Sequence, residues 1–164
     1  MLDLTKILID GGLLSLLSAL TLLGIARYNP RLLLGDYPAA IQEKAPPKTA
    51  REQRQSLIVG IPFLVLLLAV PLISTLTFKH QQAVTGLLPL FLHAFGVAFI
   101  FNLFDLLVLD WLLFCYLTPK FMVIPGTEGM AAYKDYGFHF RGALVGTVFS
   151  AVAGLVIAGI VFWL

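Results

Sequence analysis

Polar residues are scarce along this chain and gather into a few clusters, leaving four long apolar runs between them. Uncharged stretches cover residues 11–26, 56–78, 81–104 and 142–164. The last three exceed the roughly 20 residues that cross ~30 Å of hydrocarbon at 1.5 Å per residue. The first is shorter, but residues 4–9 extend it across Asp10. The runs are continuous rather than alternating, which predicts helices, since a helix satisfies its own backbone groups in lipid. The expected helices span about 5–27, 50–78, 82–117 and 139–164, as a single domain over 1–164. The implied fold class is an all-α integral membrane protein. Its four transmembrane helices form a compact bundle, and its two cytoplasmic connections carry short interfacial helices.

Composition agrees with the pattern. With 59% hydrophobic residues, 12% charged residues and a mean hydropathy of +0.93, a 164-residue chain has more apolar surface than one soluble core buries. The basic residues then set an orientation. The first long connection and the start of the helix after it hold Arg27, Arg31, Lys44, Lys48, Arg51 and Arg54. The second holds Lys120, Lys134 and Arg141, while the opposite side has only Lys6 and Lys79. A nine-to-two split predicts a multi-pass protein of the cell membrane with both termini outside. The acidic start argues against a removable signal peptide, so the first helix is expected to stay. The net charge of +2 reads as a topology signal, and no nucleic acid is expected as a partner. Anionic lipid headgroups are the expected partners of the first connection, through Arg51 and Arg54. The single Cys115 reads as a buried small hydrophobe.

Candidate chemistry concentrates in the third run, where Asn102, Asp105 and Asp110 interrupt an otherwise apolar sequence. Ionisable residues at such depth are costly and mark a site by default. At about 100° per residue the three fall within about 140° of one another, a broad common face. Measured from the polar 79–82 segment, the register puts Asp105 at the inner headgroup boundary and Asp110 beyond it. Two readings follow. In one, the acids pair structurally with Arg27 and Arg141, expected at the same depth. In the other, Asn102, Asp105 and Asp110 form a ligand site with His139, Arg141, Arg27 and Glu128, roofed by the aromatic loop 121–139. The histidines His80, His93 and His139 show no i,i+4 pair, no HExxH and no cysteine partners, so zinc hydrolysis is not indicated, and no cofactor or metal is implied.

Smaller signals complete the reading. Lys6 and Asp10 are spaced for an i,i+4 pair in a solvated interface. The segment 31–38 reads as a short amphipathic stretch in the interface, and Thr49 with Glu52 fits a capping box. A short helix is expected over 130–136, stopped by Gly137. In the last helix Gly142, Gly146, Ser150, Gly154 and Ala158 recur every four residues. That stripe predicts a close contact with the first or second helix, or with a second copy in a homo-oligomer. No phosphate loop, dinucleotide fingerprint, nucleophile elbow or internal repeat is present. The favoured reading is a non-enzymatic binding, transport or accessory membrane component with an acidic site at the inner face. The alternative is a membrane enzyme acting on a lipid-like substrate with Asp105 or Asp110 and His139.

Overall fold

The structure, a computed structural model, describes residues 2–164. Of these, 84% are helical and none lies in a strand. The elements in order are α1 (Leu4–Tyr28), a 3-10 helix (Pro30–Asp36), α2 (Ala39–Lys44), α3 (Ala50–Gln82) and α4 (Leu87–Phe104). Helix α4 runs directly into a π-helix (Asp105–Leu117), followed by 3-10 turns (Lys120–Met122 and Ala131–Lys134) and α5 (Tyr136–Trp163). Four of these helical stretches are long and apolar enough to cross a membrane. Both chain ends and the 83–86 turn lie at one end of the bundle, here the termini end. The two long connections lie at the other, the loop end.

Side chains start the helices where the backbone would otherwise leave N–H groups unpaired. Asp3 accepts from Lys6 N at 2.9 Å, and Asp135 accepts from Phe138 N at 2.8 Å. The capping box forms as expected, with Glu52 N donating to Thr49 Oγ1 at 3.2 Å and Thr49 N to Glu52 Oε2 at 2.8 Å. Glu52 also receives Arg31 Nε at 2.7 Å, tying the first connection to α3.

Several boundaries differ from the sequence expectation, each for a local reason. Helix α3 continues past 78 to Gln82 because Lys79 stays helical and donates to Val161 O at 2.9 Å, using its charge to cap the last turn of α5. The third long helix therefore starts at Leu87, not 82. Helix α5 starts at Tyr136 because Asp135 caps it, so Gly137 sits inside its first turn instead of ending a helix, and only a 3-10 turn precedes it. At its far end the π-helix stops on Thr118, at φ +44°. Lys134 Nζ donates there to Thr118 Oγ1 at 3.0 Å, to Tyr116 O at 2.9 Å and to Cys115 O, so one ammonium satisfies the last carbonyls. The two connections are also not surface-lying. Leu34, Tyr37 and Ile41 from the first and Met122, Ile124 and Tyr133 from the second share a buried core with Phe114 and Cys115. Tyr37 Oη donates to Met122 O at 2.7 Å, and Ile124 N donates to Tyr133 Oη at 2.8 Å. Tyr133 is thus a core residue and not part of an interfacial belt.

Small residues set the helix contacts. Helix α1 meets α4 at two glycines: a Cβ on Gly11 would come within 2.6 Å of Ile100, and one on Gly96 within 3.0 Å of Ile7. In α5, a Cβ on Gly154 would lie 3.0 Å from the backbone of Phe95, and Ala158 is fully buried. The stripe's close neighbour is therefore α4, a partner the spacing alone does not identify. Its other half, Gly142 and Ser150, borders a cavity instead of a helix.

Candidate functional site

The cavity occupies the loop-end half of the bundle and measures about 700 Å³, within the ~300–1,000 Å³ range of small-molecule sites. Its floor is built by α1 and the α4–π helix, through buried residues such as Leu14, Ala26, Leu109 and Phe114. Its volume exists because α5 contributes Gly142, Ala143, Gly146, Ser150 and Ala153 over the same depth, side chains too short to fill it.

The loop end of this cavity is polar. Asp36, Asp105, Asp110 and His139 line it, and neither Lys nor Arg does. The π-helix is what brings the two aspartates of the third run together. In an α-helix residues five apart diverge by about 140°. With i→i+5 hydrogen bonding, as in Thr118 N to Leu113 O at 2.8 Å, the residue five on lies one turn above. Asp105 and Asp110 therefore stack on the same side of their helix, and Phe114 follows them into the cavity wall.

His139 is oriented by Asp110, whose Oδ1 lies 3.0 Å from Nδ1. A carboxylate only accepts, so Nδ1 carries the proton and Nε2 of the neutral ring is an acceptor. That Nε2 is buried and has no protein partner; His139 as a whole is 5% exposed. Asp36 comes from the end of the first 3-10 helix, and its carboxyl is held above the ordinary value of 3.8. The largest cause is removal from bulk water; Lys48 opposes it next, then the charge of Asp110 raises it further and His139 lowers it. Tyr37 beside it is likewise raised by burial first, then by Tyr133 and Asp36.

Other sequence candidates lie elsewhere. The ion pairs among the described residues are Lys6–Asp10, Arg31–Glu52 and His139–Asp110. Arg27 and Arg141 therefore do not pair with the acids. Arg141 follows His139 by two helical residues, which turns it about 200° away from the cavity, and it is exposed, as is Arg27. Glu128 is a loop residue whose Oε1 accepts from Gly126 N at 3.1 Å, outside the cavity lining. Asn102 does reach the wall, but its Nδ2 donates to Ala143 O at 3.0 Å and Thr147 Oγ1 at 3.1 Å, stitching α4 to α5 across Gly146. The roof combines both connections with the start of α5: Met122 comes from the second connection, Phe138 from the first turn of α5, and Gly35, Asp36 and Tyr37 from the first connection.

No protein-family model, curated protein or solved structure matches this chain. The site is thus read from its own chemistry. Asp36 escaped the sequence reading because it stands in a connection that looked interfacial. The available signal was the density of Leu32-Leu33-Leu34 beside Tyr37-Pro38, too apolar for a surface segment. No group of three or more His, Cys, Asp or Glu among the described residues is arranged to hold a metal. The polar groups gathered here are three carboxyl groups and one imidazole nitrogen.

A second polar cluster sits at the termini end; its Lys6–Asp10 pair was expected from the spacing, and its extension to Ser74 and His93 was not. Lys6 Nζ lies 2.8 Å from Asp10 Oδ2, Ser74 Oγ donates to the same carboxyl at 2.6 Å, and His93 Nε2 is 2.8 Å from Ser74 Oγ. His93 is fully buried and stacked on Phe78 with centroids 4.3 Å apart. The knot joins α1, α3 and α4 and lies outside the lining of the loop-end cavity.

Proposed function

We propose that this is an integral membrane protein that binds, or carries, an amphiphile with an apolar body and a donor-bearing, cationic head, without chemistry of its own. The observation that carries the reading is that three acidic groups and one free imidazole nitrogen meet at the loop end of the cavity with no Lys or Arg in its lining. Asp36, Asp105, Asp110 and His139 Nε2 offer lone pairs, the Asn102 and Tyr37 donors are already used, and no cation lines the space. An ammonium head satisfies both the charge and the hydrogen bonding of such a cluster. Membrane insertion is supported by the four apolar helices and by the exposed Leu57, Ile58, Ile61, Val65 and Ile73 around α3, a surface that water disfavours.

By the nine-to-two distribution of basic residues, the loop end faces the cytoplasm of a cell membrane, both termini face out, and Arg51 and Arg54 meet anionic headgroups. Single cysteines placed at 80 and 134 read the orientation. Only position 80 is expected to label from outside intact cells, and labelling at 134 alone would reverse the proposal.

Binding is measured with a fluorescent long-chain alkylamine on the purified full chain in detergent. Asp105→Asn is expected to keep the fold and weaken binding by about tenfold or more, since the variant loses a charge-assisted bond. Equal affinity of both proteins would sink the reading. A second reading is favoured by one feature: the Asp110–His139 pair, with its free Nε2, has the arrangement of a general base. In that case the protein is an enzyme on a lipid-like substrate. His139→Gln would then abolish turnover while leaving amphiphile binding largely intact.

A further inference from the structure

We infer that the cavity fills sideways, from the acyl phase of the bilayer, through a portal between α3 and α5, so that its ligand is an alkylamine-type amphiphile already dissolved in the membrane. This rests on the binding reading above. Helices α3 and α5 are joined at the termini end, where Phe78 packs with Ile157, Ala158 and Val161 and Lys79 caps the last turn of α5. Toward the loop end both helices turn to lining the cavity, α3 with Leu64 and Leu68 and α5 with Phe149 and Ala153.

The two sides of the cavity differ in exposure. On the floor, Leu14 is 0% and Leu109 7% exposed. On the α3–α5 side, Leu64 is 58%, Leu68 51% and Phe149 68% exposed, although all three border the same space. Residues that line a cavity yet are more than half exposed form its rim. That rim carries no charge, so a hydrated ion gains nothing by crossing it, while an acyl chain meets only apolar contacts. The acidic cluster lies deeper, at the loop end. A head entering from the side would reach Asp105 and His139 while its chain trails between Leu68 and Phe149 into lipid.

The test uses the full chain in phosphatidylcholine vesicles and, as probe, a hexadecylamine carrying its dansyl group at the chain end so that the ammonium stays free, its association followed by energy transfer from tryptophan. Ala153→Phe narrows the rim and is expected to slow association by about tenfold, and Phe149→Ala widens it and is expected to speed association, both within the range over which on-rates vary among related variants. A chain-terminal diazirine on the same amine is expected to label α3 and α5 at the rim, a readout that does not depend on either variant folding. Labelling confined to loop-end residues such as Met122 and Phe138, or association rates unmoved in both variants, would overturn the portal while leaving the binding reading in place. Failure of the unaltered protein to bind the amine at all would overturn both.

Discussion

The two ends of this bundle use the same kinds of residue for opposite ends. At the termini end Lys6, Asp10, Ser74 and His93 form a continuous chain of hydrogen bonds across three helices, with His93 stacked on Phe78 and its Nδ1 left without a partner. At the loop end Asp36, Asp105, Asp110 and His139 bring as much polarity to the bundle, yet one bond, Asp110 to His139, is made among them. The rest faces a cavity. A buried polar atom unpaired by the protein, as His139 Nε2 is, costs about 1–3 kcal/mol, so the cavity favours an occupant that pairs with it. Polarity between apolar helices does not by itself distinguish glue from site; whether the unpaired groups border a cavity does. At the termini end one buried atom, His93 Nδ1, lacks a partner and lies outside the cavity lining, while at the loop end three carboxyl groups and His139 Nε2 stand along it.

The glycine stripe of α5 runs through both regions and gives the sharpest way to test the contrast. Gly154→Leu drives a side chain into the Phe95 backbone, which cannot retreat, and is expected to cost about 3 kcal/mol of stability. Ser74→Val, which leaves Asp10 and His93 short of a partner, is expected to cost about 2 kcal/mol. Neither should change amine affinity relative to folded protein. Gly142→Leu, with nothing within 4 Å of its Cβ, is expected to shift stability by no more than about 0.5 kcal/mol and to reduce binding by filling the cavity. Thermal unfolding and binding in detergent measure all three, and a Gly142 variant as unstable as the Gly154 variant would erase the distinction.

The smallest effect concerns pH. The folded protein holds the proton of Asp36 more tightly than the unfolded chain, so ionisation of this residue opposes folding. That penalty is absent below the ordinary value of 3.8 and grows as pH rises through it. Asp36→Asn is therefore expected to raise Tm at about pH 7 and to leave it unchanged near about pH 3. A gain of the same size at both would place the residue outside the acidic cluster.

How much could be read beforehand differs by residue. Four apolar runs give four long helices because run length and the absence of charge are local properties, and the Thr49–Glu52 box forms because a cap is decided within four residues. Asp105, Asp110 and His139 stood out as polar intrusions in apolar sequence, and all three line the cavity. Arg27, Arg141 and Glu128 were attractive for charge and depth alone; both arginines are exposed on their helices, and Glu128 stays in its own loop turn, accepting from Gly126 N. Which helix accepts the stripe of α5 depends on the mutual fit of α4 and α5, of which the sequence shows only one half.

Short-range chemistry controls helix number, apolarity, caps and the presence of acids in the third run, and all of these are legible along the chain. Packing settled the rest. The switch from α to π hydrogen bonding at Asp105 changes the angular offset of a five-residue spacing from divergent to stacked. The first connection folds inward and delivers Asp36, because Leu34, Tyr37 and Ile41 bury against Phe114 and Tyr133 far along the chain. Both depend on contacts between residues distant in sequence, where no local pattern carries the information.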